Sequence, residues 1–151
     1  MPCIAVDLFC GIGGLTHGLQ LSGLTVNAGF DIDPSCRFAY EANNNSRFIE
    51  ADVANLTGED IAEYYPQDAV KVLVGCAPCQ PFSKYTQRYR KSGHSGSKWR
   101  LLDSFARIIQ EIRPEIVSME NVPELSTQTV FTDFQNMLMN NGYHVQWQVV
   151  Y

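Results

Sequence analysis

Ala69-Val-Lys-Val-Leu-Val-Gly75, followed at once by Cys76-Ala-Pro-Cys-Gln-Pro-Phe-Ser83, decides the fold of this chain. The first part is a short apolar run rich in valine and bounded by glycine, the pattern of a buried strand. The second part continues neither strand nor helix. Pro78 and Pro81 each lack a backbone donor and restrict the residue before them. Cys79 therefore stands just past the carboxyl end of a buried strand, on a stiff turn. A thiol held there suits a nucleophile better than a core position.

Similar runs recur on both sides, separated by helical patterns. Strands are expected at Cys3–Phe9, Leu24–Phe30, Phe48–Ala51, Ala69–Val74, Glu115–Met119 and Tyr143–Tyr151. Helices are expected at Leu15–Leu21, at Ser35–Asn43 with Pro34 near the first turn, and at Gly58–Tyr65 before Pro66. Two more are expected at Arg100–Ile112, ending before Pro114, and at Thr129–Asn141, stopped by Gly142. Helix stops before proline and at glycine are the ordinary ones. Strands alternating with helices predict an α/β fold, a doubly wound and mainly parallel Rossmann-like sheet. Ligands bind such sheets at the carboxyl ends of the strands. The stretches 9–14, 76–83 and 120–123 all begin there.

At 151 residues the chain is expected to be a single domain, long enough to bury a core without disulfides or metal. Apolar residues make up 45% and charged residues 18%, ordinary for a globular protein, and no apolar run approaches the length of a membrane span. No signal peptide is visible at the N-terminus, so a cytoplasmic location is the expectation. Five cysteines, at 3, 10, 36, 76 and 79, are an odd set with one close pair, which argues against a disulfide framework. His17, His94 and His144 are scattered, and no metal site is expected. The net charge of −5 hides an asymmetry: residues 69–102 carry seven bases and no acid, while the flanking segments are acidic. One basic segment on an acidic body points to a local polyanion site, against the plain alternative of a solvated loop. Within it, Ser83–Trp99 is long, polar and glycine/serine-rich. Its Tyr85, Tyr89 and Trp99 could stack on bases while the cations meet phosphates.

Gly11-Ile-Gly-Gly14 follows a strand and opens a helix, so backbone N–H groups can approach a ligand closely. Asp31, twenty residues after Gly11, stands where a carboxylate commonly holds a ribose diol. Thr16 occupies the third-glycine position. This spacing fits a nicotinamide cofactor, a flavin or S-adenosylmethionine, or simply a tight strand-to-helix turn. Cys76-x-x-Cys79 also admits a redox pair or half a zinc site. Zinc needs four ligands and no second pair is at hand, and the Pro-Phe-Ser after Cys79 does not resemble the helix that activates a redox thiol. Glu120-Asn121 ends the apolar run Ile116–Met119. A carboxylate in that position is costly unless it has a partner or a task.

Together Asp7-Leu-Phe-Cys-Gly-Ile-Gly-Gly14, Pro78-Cys-Gln-Pro-Phe-Ser83 and Glu120-Asn-Val-Pro123 resemble the cytosine-C5 DNA methyltransferases, in that family's order and spacing. The resemblance implies S-adenosylmethionine as cofactor and cytosine in DNA as substrate. Cys79 would be the nucleophile that attacks C6 of a flipped-out cytosine, and Glu120 would act at N3. Phe9, Gly11, Gly13, Gly14 and Pro78 would line the cofactor pocket. Asp31 would hold the ribose, Ile32 would lie against the adenine, and Asp52 with Val53 would serve the adenine edge. Gln80, Ser83, Lys84, Arg88, Arg90, Lys91 and Asn121 would face the DNA. Family members continue past position 151 with a Gln-x-Arg-x-Arg segment, a target-recognition region and a last helix. The chain is accordingly expected to be the N-terminal part of a catalytic domain, complete only with a C-terminal part, for instance a complementary subunit. The alternatives are a transfer-RNA cytosine-C5 methyltransferase and a non-catalytic subunit of a split enzyme.

Overall fold

A computed structural model describes residues 1–78 and 99–150. Five strands form one sheet: β1 (Cys3–Leu8), β2 (Thr25–Asp31), β3 (Arg47–Glu50), β4 (Val70–Gly75) and β5 (Ile116–Met119). Their order is β3-β2-β1-β4-β5, and every pairing is parallel. Helices α1 (Gly14–Leu21), α2 (Arg37–Asn43), α3 (Gly58–Ala62) and α4 (Arg100–Ile112) lie in the crossovers, and α5 (Thr129–Asn140) follows β5. The chain runs outward from β1 to β3, then returns to place β4 on the other side of β1. The switch point of the sheet therefore lies between β1 and β4, where the carboxyl ends open a crevice.

The strand sequences explain the two layers. Side chains alternate across a strand, so Ile4, Val6 and Leu8 share one face of β1 while Ala5 and Asp7 share the other. The first face meets a large core built from Leu73, Ile61, Phe105, Ile108, Ile109, Phe134 and Leu138. The second face meets α1 through Ala5, Val26, Val72 and Val74, with Leu15 and Leu19 packed on them. The apolar stripe of α4 buries Leu102, Phe105, Ile108, Ile109 and Ile112, and Phe105 stacks on Phe134 of α5 at 6.0 Å between ring centres. Thr57 caps α3 by a reciprocal pair of bonds with Asp60. That helix is shorter than the pattern suggests. Tyr64 and Tyr65 turn tightly after it, and the Tyr65 hydroxyl donates to Val72 O at 2.9 Å.

The expected sixth strand does not form among residues 143–150. Its alternating pattern has no ladder partner. The Tyr143 hydroxyl donates to Pro114 O at 2.6 Å, and Trp147 lies edge-on against Phe131 at 5.3 Å while remaining 54% exposed. A groove of about 420 Å³, lined in part by Ile116, Val117, Leu138, Tyr143 and Trp147, lies alongside this segment and β5. A strand is defined by its neighbour, and here the side chains anchor the segment without one.

Candidate functional site

The carboxyl end of β1 breaks the backbone rules of a strand. Phe9 has φ 62°, Gly11 51° and Gly13 89°, all in the left-handed region. For Phe9 that conformation costs of order 1–3 kcal/mol. The turn is held by Cys10 N–H to Phe30 O at 3.0 Å and Gly13 N–H to Cys10 O at 2.9 Å. Gly13 must be glycine twice over, because a Cβ there would strike Tyr40 and Asn44. At Gly11 and Gly14 a Cβ would meet nothing within 4 Å. The loop leaves open space just where α1 begins.

Asp31 closes the turn from the next strand. Its Oδ2 accepts the Gly11 N–H at 2.8 Å and its Oδ1 accepts the Asp33 N–H at 2.9 Å. Ile32 follows, 51% exposed. Asp52, just beyond β3, caps a short 3-10 turn by accepting the Ala54 N–H on Oδ1 at 3.0 Å. Val53 is 2% exposed with its side chain in the core, so only its backbone can reach a ligand.

Beneath this turn lies a buried acid. Asp7 is fully buried, its Oδ2 accepting the Thr16 hydroxyl at 2.7 Å. Thr16 Oγ1 is 3.1 Å from the Tyr40 hydroxyl, which is 2.9 Å from Ser46 Oγ. Asp7 Oδ1 has no hydrogen-bond partner among the described residues. Burial raises the Asp7 carboxyl to about 7, opposed by the Thr16 bonds and aided by the Asp31 charge. Burial also pushes the Cys10 thiol far up, with Asp7 and Asp31 adding to it, and raises Tyr40 to about 12. Cys10 is therefore a packed core thiol and no nucleophile at neutral pH.

On the other side of the switch point, the Cys76 N–H donates to Leu8 O at 3.3 Å and the Glu120 N–H to Gly75 O at 3.1 Å. These bonds extend the ladder past the ends of β4 and β5. The Asn121 side-chain amide then donates to Ala77 O at 2.8 Å, tying the turn after β5 to the residue before Pro78. Pro78 and Glu120 are both at this end, Pro78 exposed and Glu120 also open to solvent. Cys79, Gln80, Ser83, Lys84, Arg88, Arg90 and Lys91 lie outside the described residues. Asp31 is the last residue of β2, and Phe9, the glycines, Asp52, Pro78, Glu120 and Asn121 follow the carboxyl ends of strands in the same sheet.

The C-5 cytosine-specific DNA methylase family matches residues 4–151. The chain belongs to that family. Among its relatives is the Type II methylase M.HgiDII of Herpetosiphon aurantiacus, 52% identical over 149 residues that cover 97% of this chain and 41% of the relative. Another is the Type II methyltransferase M.HindV of Haemophilus influenzae, 32% identical over 95% of this chain and 44% of its own length. The S. pombe Dnmt2 methyltransferase has the same fold, with a TM-score of 0.74 at 21% identity over 94% of this chain and 43% of that one. The chain spans about two-fifths of the length of the curated relatives it matches.

Two features of this methylase-family site escape a reading of motifs. Thr16 is no mere absence of a third glycine, because its hydroxyl is the link between Asp7 and Tyr40. The signal was available: an acid inside the apolar run Cys3–Phe9 must find a hydrogen-bond donor. The second is Arg100, whose Nη2 lies 3.6 Å from Asp52 Oδ2. Nothing in the spacing of 52 and 100 announces that pair.

Proposed function

We propose that this chain supplies the cofactor-binding and nucleophile-bearing part of an enzyme that methylates C5 of cytosine in DNA. The observation that carries the reading is the tie between Asn121 and Ala77, because it holds the Glu120 turn against the segment leading into Cys79. The ordered motifs and the relatives named Type II methylases support the same reaction. The open cradle over Gly11 and Gly14, with Asp31 beside it, fits an adenosyl ligand.

S-Adenosylmethionine supplies an electrophilic methyl group on a sulfonium. The backbone of the Gly11–Gly14 turn would pack against it, the Asp31 carboxylate would hold its ribose, and Asp52 would accept from the adenine amino group. Cytosine C5 is a poor nucleophile until the ring loses aromaticity, which Cys79 achieves by adding its thiolate to C6. Glu120 holds the proton that N3 needs as that bond forms. Loss of the C5 proton and departure of the Cys79 sulfur restore the ring. The base must leave the helix for this, since C6 is covered in a duplex. The basic stretch 83–99 would meet the DNA backbone. The rest of a complete enzyme, whether joined to this chain or supplied by a complementary subunit, would contribute target recognition.

The test is a graft. This chain replaces the matching 149 residues of M.HgiDII, and the product is offered duplex DNA, transfer RNA and DNA carrying 5-fluorocytosine. The expected result is methyl transfer to DNA and a trapped adduct whose peptide contains Cys79. Cys79→Ser should lower transfer by roughly a thousandfold or more. Transfer to RNA alone would replace the substrate, and a fully active Cys79→Ser graft would make the chain a non-catalytic subunit.

A further inference from the structure

α4 carries three polar side chains that reach one neighbouring stretch. Arg100 Nη2 stands 3.6 Å from Asp52 Oδ2. Arg107 Nη2 donates to Leu56 O at 2.7 Å, while its Nη1 donates to Glu111 Oε1 at 3.0 Å. Glu111 Oε2 accepts the Gly58 N–H at 2.6 Å. Positions 100, 107 and 111 differ by seven and four residues, so they fall on one stripe of the helix. The segment 52–58 is thereby fastened to α4 at its start, middle and end. The approach at Gly58 is close, since a Cβ there would come within 2.6 Å of Glu111 Cβ.

The carboxylate at the start of this segment is almost fully engaged. Asp52 Oδ1 accepts from Ala54, and Oδ2 faces both Arg100 and the Asn55 amide, the latter at 3.4 Å. A carboxylate has about four acceptor directions, so one remains for an outside donor. We infer that Arg100 is a positioning residue for the methyl donor's adenine: its ion pair holds the Asp52 carboxylate so that the remaining direction meets the exocyclic amine. The inference rests on the reading of Asp52 given above. Arg100 need not touch the ligand. With Arg100 47% and Asp52 25% exposed, the pair is partly solvated, and its effect is modest and screened by salt.

The experiment compares S-adenosylhomocysteine with its 6-oxo analogue, S-inosylhomocysteine, by calorimetry. The chain is tested unchanged and as Arg100→Gln, Arg100→Lys and Asp52→Asn. Amide hydrogen exchange at Ala54 is followed in each without ligand. Arg100→Gln should weaken the adenosyl ligand roughly two- to fivefold, leave the 6-oxo ligand unchanged, and speed Ala54 exchange by a similar factor. Arg100→Lys should restore part of the preference. Equal weakening of both ligands, or unchanged Ala54 exchange in Arg100→Gln, overturns the inference. If Asp52→Asn abolishes the preference and Arg100→Gln does not, Arg100 alone fails. If Asp52→Asn leaves the preference intact, the reading of Asp52 fails. Should neither ligand bind measurably, the Ala54 exchange decides.

Discussion

Asp7 should make this fold less stable as the pH rises through neutrality. A carboxyl whose pKa is higher folded than unfolded binds more protons in the folded state across the interval between the two values. The group's stabilising contribution is then full at and below the unfolded value, falls as pH rises between the two, and is lost above the folded value. For Asp7 the interval runs from 3.8 to about 7. At about 1.4 kcal/mol per unit the whole loss is about 4 kcal/mol, a large part of the stability of an ordinary domain. Between pH 5 and pH 7 the loss is about 2 kcal/mol. With a urea m-value of about 2 kcal/mol/M, the midpoint should fall by about 1 M over those two units. The carboxylates held below their ordinary values oppose this only at lower pH. Glu115, whose largest influence is the Lys71 N–H, and Asp60, bonded by Thr57, are ionised both folded and unfolded above pH 5. Glu111 behaves alike: burial pushes it up, but the bonds from Arg107 and Gly58 together outweigh that push. Asp7→Asn removes the titration and keeps the Thr16 bond, while leaving an amide donor where Oδ1 had no partner. That donor costs about 1–3 kcal/mol at every pH. The diagnostic is therefore the slope and not the absolute value. Urea midpoints of the two proteins at pH 5, 6, 7 and 8 should converge or cross as pH rises. Parallel curves would refute the assignment of a high pKa to this buried acid.

The glycines of the first turn should separate stability from ligand binding. Gly13→Ala forces a side chain into Tyr40 and Asn44 at a left-handed backbone, and thermal or urea unfolding should register a loss of at least about 2 kcal/mol. Gly11→Ala meets open space, so its cost should stay near 1–2 kcal/mol from backbone strain alone, while calorimetry shows adenosyl ligand binding reduced disproportionately. Equal behaviour of the two variants would count against an open cradle at Gly11. Replacing Arg88, Arg90 and Lys91 together by glutamine in the grafted enzyme should weaken DNA binding and flatten the logarithmic salt dependence by up to about 2.7, or 0.9 for each phosphate left without its cation. An unchanged slope would mean that these side chains are only solvated.

Much of the architecture was legible in the chain because the fold is written in local patterns. Short apolar runs between helical patterns located all five strands of the sheet, and the stripe on Arg100–Ile112 located α4 to the residue. The motifs were legible because all of them fall at strand ends, where a parallel sheet puts its ligand. What stayed hidden depends on partners far apart in sequence. The run 143–150 alternates like a strand, but alternation cannot say whether a neighbouring edge is within reach. Tyr40 reads as an apolar position on α2, yet it is the residue that makes Gly13 and Gly29 obligatory, since a Cβ at either would collide with its ring or hydroxyl. The pair of Arg100 with Asp52 spans 48 positions and has no periodic signature.

Several unfavourable features of this molecule gather at one end of the sheet, although Arg113 at the end of α4 also has a positive φ and Asn44 Oδ1 is also buried without a partner among the described residues. A positive φ at Phe9, an acid buried beneath it with one oxygen unpartnered among the described residues, a glycine jammed against Tyr40, and a Gly75 whose Cβ would press within 2.8 Å of Leu8 O all lie at the same end of β1 and β4. The opposite face of β1 carries an apolar core with no such defect, built from Leu8, Phe105, Ile108 and Ile109. If stability alone had shaped the sequence, an apolar residue at 7 and a relaxed turn at 9 would serve better. Strain gathered at the switch point of a parallel sheet, and supported by a core on the far side, is the arrangement expected where the backbone must approach a ligand. The cost at Asp7 and Phe9 and the open space over Gly11 therefore belong together: the turn is held out of its relaxed form at the switch point, where it leaves room above Gly11 and Gly14, and relaxing it should stabilise the fold while closing that space.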